Sequence, residues 1–145
     1  MAILPEKQKL EVVSYVGSSL GEFSADGDRP PRSAKLVAKI SWSWGPAHSA
    51  CLRYLICTDR QRKGWTLWAV ADDWDGRMYA QLAYATPFRG QTAKFAAEQL
   101  LTATWRAERL EMCDEDLRGA CVNEEGLLTK PDVERIECEV FGPRT

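Results

Sequence analysis

Three apolar segments follow one another between Ala50 and Thr86 with only turn-forming residues between them, and a chain built this way folds most directly as an antiparallel meander. The first, Cys51–Cys57, ends in the polar run Thr58–Gly64; the second, Trp65–Ala71, ends in Asp72–Gly76; the third is Met78–Tyr84. Asp75-Gly76 between two β-rich runs is a hairpin signal, because a type I′ turn needs positive φ at both central residues and Asp and Gly tolerate it best.

The flanking segments extend this sheet. Leu10–Val16 reads as an edge strand. Gly17–Arg32 is dense in turn formers, and Pro30-Pro31 excludes helix there. Its Gly-x-x-x-Gly lacks the Gly-Lys-Ser/Thr ending of a phosphate-cradling loop. Ala34–Trp44 alternates, with Leu36, Ala38, Ile40, Trp42 and Trp44 expected on one face and Lys35, Lys39, Ser41 and Ser43 on a basic, open one. From Gln91 to Arg109 the period changes to three and four, through Ala93, Ala96, Ala97, Leu100, Ala103, Thr104 and Ala107, with Leu101 and Trp105 beside the stripe. This predicts an amphipathic helix capped by Thr92 or entered through Pro87.

Glu111–Asn123 supports two readings, a helix end with an acidic loop or a short helix capped by Asp114. Thr129–Asp132 reads as a turn. Val133–Phe141 reads as a closing strand with Ile136, Cys138 and Val140 inward and Arg135, Glu137 and Glu139 outward. The fold expected is α+β, an antiparallel sheet of about five or six strands with one long helix on one face.

At 145 residues the chain fits a single domain, 1–145, and a domain of this size buries about 70% of its unfolded surface. The net charge of −2 is uneven: residues 1–90 carry 12 Lys and Arg against 9 Asp and Glu, residues 91–145 carry 7 against 12. That acidic final third argues against binding a phosphate backbone, which needs clustered cations, and suits a partner with a basic surface. The five cysteines, Cys51, Cys57, Cys113, Cys121 and Cys138, are odd in number and contain no C-x-x-C pair. Reduced, structural thiols are expected, with Cys138 poorly reactive. The first residues lack the apolar core of a signal peptide, and no run reaches the ~18 apolar residues that span a bilayer. A soluble, cytoplasmic protein is expected.

Candidate chemistry is thin. Asp72, Asp73, Asp75 and Gly76 resemble part of a calcium loop, but with Asp73 and Asp75 at positions three and five, Ala71 and Leu82 fall where carboxylates are required. His48, the single histidine, lies three residues before Cys51, so a nucleophile pair is possible in principle; it lacks an orienting third group in the sequence. No metal, cofactor or catalytic residue is assigned. Arg60, Arg62 and Lys63 beside Trp65 form a basic hairpin tip that could enter a nucleic-acid groove with Trp65 stacked on a base, yet such charge is also what an exposed turn carries.

The six tryptophans, Trp42, Trp44, Trp65, Trp68, Trp74 and Trp105, are the unusual feature. Trp65 and Trp68 have opposite strand parity, so the face away from the helix is either covered by a second layer or presents aromatics. The reading that follows is a non-catalytic protein that binds a macromolecule, of the inhibitor or immunity type. Its contact residues would be Trp74, Asp114, Glu115, Asp116, Glu124 and Glu125, and its partner a protein with a basic surface, nucleic acid being disfavoured. The alternative is a sheet-and-helix cup for a small apolar ligand, or a small enzyme using His48 and Cys51.

Overall fold

The computed structural model describes residues 11–15, 29–43, 49–61, 63–73, 76–86, 90–108, 120–121 and 126–142. The protein is α+β with an antiparallel sheet. Four long strands carry it: β2 (Lys35–Ser43), β3 (Ser49–Asp59), β4 (Gly64–Asp73) and β5 (Gly76–Thr86). Each pairs antiparallel with the next, and short β1 (Glu11–Tyr15) and β6 (Ala120–Cys121) add at the two edges in the order β1-β5-β4-β3-β2-β6. β5 begins at Gly76, a residue that the sequence places in the turn. Asp73 pairs with Gly76, so Gly76 closes the ladder at a φ of 125°, a conformation that only glycine adopts freely.

Two bulges decide which side chains share a face. On β2, Leu36 lies opposite Leu55 and Ala38 opposite the adjacent Tyr54, leaving Val37 as the extra residue. On β5, Ala83 lies opposite Leu67 and Gln81 opposite Trp68, leaving Leu82 extra. Directly opposed residues of an antiparallel pair share a face, and a bulge inverts the alternation beyond it. The two-face split expected for β2 is therefore corrected. Lys35 aligns with Ile56, while Lys39 aligns with Arg53 on the other side.

One face of the sheet, formed by Leu52, Tyr54, Ile56, Leu67, Ala69, Ala80, Ala83 and Ala85, belongs to the main core together with Ala96, Ala97, Leu100, Leu101 and Trp105 of α1 (Ala93–Glu108). Alanines on both surfaces allow the helix to approach the sheet closely. Thr92 caps α1, its hydroxyl accepting from the Phe95 N–H at 3.1 Å. Trp105 is fully buried. Its indole N–H donates to the Tyr54 hydroxyl at 3.3 Å.

The expectation of one helix and a closing strand fails at 130–141, which form a second helix, α2 (Lys130–Phe141). Val133, Ile136, Glu137 and Val140 are its buried residues, a spacing of three and four that alternation in Ile136, Cys138 and Val140 imitates over a short stretch. The segment 129–132, expected as a turn, is the helix start. Thr129 is the N-cap and exchanges hydrogen bonds with Asp132 as a capping box, and Pro131 sits in the first turn where a missing N–H breaks no helical bond. Three ion pairs join the helices: Lys94–Asp132 at 3.2 Å, Arg135–Glu98 at 2.9 Å and Arg106–Glu139 at 3.8 Å.

The cap gives a testable pH dependence. The Thr129 backbone N–H, donating to Asp132, outweighs the effect of burial and, with the Thr129 hydroxyl and Lys94, holds this carboxyl below its ordinary range. A carboxyl depressed in the folded state stabilises above its unfolded value of about 3.9, and that contribution is lost as pH falls through the folded value. Thr129→Ala should cost about 1 kcal/mol at neutral pH. Asp132→Asn should flatten the acid limb of the stability profile, and urea melts at neutral pH and at pH values below the ordinary carboxylate range measure both.

Cys51, Cys57 and Cys138 are not joined in disulfides; Cys113 and the side chain of Cys121 lie outside the described residues. Cys138 was expected inward and inert, but α2 turns it outward and exposes it. Cys57 is buried, and burial pushes its thiol pKa up. Alkylation of the folded protein should therefore modify Cys138 well before Cys57, read by peptide mass against time.

Candidate functional site

The candidate site lies on the sheet face away from the helices, where a charge falls at the same face position in three adjacent strands. Arg53 on β3 aligns with Val70, which aligns with Tyr79 on β5; one residue pair further along, Asp72 on β4 aligns with Arg77 on β5. Alternation therefore puts Arg53, Asp72, Arg77 and Tyr79 on one side, with Lys39 of β2 opposite Arg53 on that same side.

Arg53, Asp72 and Arg77 form one connected cluster. Asp72 accepts from Arg53 Nη2 through Oδ2 and from Arg77 Nε at 2.7 Å through Oδ1. Partial burial raises the Asp72 pKa, but the Arg77 hydrogen bond and the positive charges of Arg53 and Arg77 outweigh it and hold the carboxyl below its usual range. Arg29, where the chain re-enters before β2, stands 5.2 Å from the centre of the Tyr79 ring, within cation–π distance. Two arginines thus bind one carboxylate, with Arg29 over the neighbouring Tyr79 ring and Lys39 opposite Arg53. The Arg53 Nε–H is buried without an acceptor, and the Arg77 side chain is 55% exposed.

Beyond Tyr79 the same face becomes apolar and covered. Trp68, Val70, Tyr84, Cys57 and Thr66 are buried here. Pro31 lines an open pocket of about 210 Å³ with Cys57, Thr66, Trp68 and Gln81. Trp65 is buried too, but on the opposite face: it aligns with Thr58 and Ala85, whereas Trp68 aligns with Leu55 and Gln81. The parity argument thus resolves as two covered indoles rather than an exposed pair.

Of the residues singled out from sequence, Trp74, Asp114, Glu115, Asp116, Glu124, Glu125 and His48 lie outside the described residues. Cys51 is described and half-buried on β3. The acids on the helices are largely matched: Glu98, Asp132 and Glu139 each meet a cation. The arginine cluster is what sequence reading passed over. Its signal was an arginine inside the apolar run Cys51–Cys57, at the parity of an aspartate and a second arginine in the next two strands.

Among the described residues no three His, Cys, Asp or Glu side chains converge as a metal site, and no helix is long and apolar enough to cross a membrane. Set against protein-family models, curated proteins and solved structures, the chain matches none.

Proposed function

We propose that this protein works by binding a protein partner, as an inhibitor or immunity-type protein, and that the arginine-bearing sheet face is the centre of its docking surface. What supports this reading is the cluster itself: Arg53 and Arg77 held in place by one aspartate, with Arg29 and Tyr79 beside them. Arginine and aromatic residues are the types that concentrate at interface hot spots, and an arginine pre-oriented by a carboxylate loses less freedom when a partner's acceptor reaches it.

Trp74 follows this cluster directly in sequence, two residues after Asp72, and is the proposed apolar anchor. Asp114, Glu115, Asp116, Glu124 and Glu125 are the proposed second contact, steering a basic patch of the partner. The test is association kinetics with the captured partner at two ionic strengths. Arg77→Glu should weaken affinity at least about tenfold, Trp74→Ala should act mainly on dissociation, and reversing Asp114, Glu115 and Asp116 should lower the association rate and flatten its salt dependence. Turnover of any substrate that is lost in His48→Ala would count against the reading.

A further inference from the structure

We infer, resting on the docking reading above, that the partner segment received by the arginine-bearing sheet face is extended and acidic, with carboxylates at two alternate positions and an apolar ring at the next. The basic patch proposed to meet Asp114, Glu115 and Asp116 is a different part of the partner. Three positions of β5 set the pattern. Arg77 lies opposite Asp72, Tyr79 opposite Val70 and Gln81 opposite Trp68, so the three share one face and follow one another at intervals of about 7 Å.

Each position offers something different. At the first, Arg77 binds Asp72 through Nε and remains 55% exposed. At the second, the exposed Arg29 stands over the Tyr79 ring. Arg29, Arg53 and Arg77 thus outnumber Asp72, the carboxylate described at this end of the face, and the surplus is positive. At the third, Gln81 and Trp68 wall the open pocket of about 210 Å³ with Pro31, while Asp59 and Arg60, also in its lining, offset each other in charge. A cavity of ~150 Å³ already admits benzene, so a phenyl ring fits. Side chains of an extended segment alternate with the same spacing as those of β5. The order Glu-x-Glu-x-Phe therefore sets two carboxylates against Arg77 and Arg29 as the ring enters the pocket. The chain's net charge of −2 lacks the general attraction that holds a polyphosphate backbone, which favours a protein segment over nucleic acid.

The test is a titration of the ¹⁵N-labelled full chain with an acetylated, amidated serine peptide carrying Glu, Glu and Phe in that alternation, following the assigned backbone amides of Tyr79 and Gln81. Both should shift and saturate. Replacing both glutamates by Gln should weaken binding at least about tenfold, and moving the phenylalanine by one position, which turns it to the other side of the segment, at least about fivefold. Arg29→Glu, which changes an exposed side chain and leaves the pairs of Asp72 in place, should lose at least about fivefold. Unmoved amides overturn the inference. So does equal binding of the Gln peptide, of the displaced ring or by Arg29→Glu, or tighter binding of an oligothymidylate of the same charge. If the peptides fail while a captured partner is still lost on Arg77→Glu, the face docks something other than an acidic segment; a partner held unchanged by Arg77→Glu removes the docking reading itself.

Discussion

Gly64→Ala is expected to destabilise the protein by about 3 kcal/mol, the upper part of the range for overpacking. The position is not special in its φ. The constraint is space: a β-carbon at residue 64 would overlap the Ala85 carbonyl oxygen and come within 2.7 and 2.8 Å of the Tyr84 ring. Neither neighbour can give way cheaply. Ala85 is locked between Trp65 of β4 and Val12 of β1 in the ladder, and Tyr84 is 6% exposed beneath the cover of this face. Urea unfolding should show the midpoint falling with little change in slope. A loss below about 1 kcal/mol would mean that β5 can move away from the start of β4, which the sheet described here does not permit.

Trp105→Ala should cost still more, about 3–5 kcal/mol. This indole joins three elements at once. It meets the Tyr54 ring of β3 edge-on at 6.4 Å between centroids, stacks on Phe141 of α2 at 6.5 Å, and donates its N–H to the Tyr54 hydroxyl. Trp105→Phe keeps most of the contact and gives up the hydrogen bond, so it should lose only about 1 kcal/mol. The difference between the two variants separates packing from hydrogen bonding. If alanine cost no more than phenylalanine, α2 would not be packed against the sheet through this residue.

Local patterns long enough to repeat were readable from sequence. The meander over Ala50–Thr86 and the helix through Leu100 and Trp105 follow from alternation and from three-and-four spacing, and Thr92 caps that helix as its position suggests. α2 was not readable in the same way, because Ile136, Cys138 and Val140 satisfy a strand's period over one short stretch. Only the capping box of Thr129 and Asp132, with Pro131 between them, distinguishes a helix there. The bulges at Val37 and Leu82 were hidden for a different reason. Each depends on the register of a neighbouring strand, which alternation within one strand does not contain. That is also why the arginine cluster was missed: Arg53, Asp72 and Arg77 are 19 and 5 residues apart in sequence, and only pairing brings them together.

The docking claim is tested most directly by quantitative capture from a native extract with three full-length baits: the unsubstituted protein, a variant with Arg29, Lys39 and Arg77 reversed to Glu, and Arg135→Glu on the outer side of α2. All three substituted cations of the first variant lie at or beside the sheet-face cluster, and Arg135 pairs with Glu98 on the helix side. The account predicts a partner retained by the unsubstituted protein and by Arg135→Glu, and reduced at least about tenfold with the sheet-face variant. Equal capture by the sheet-face variant, with its fold intact by circular dichroism, would contradict it.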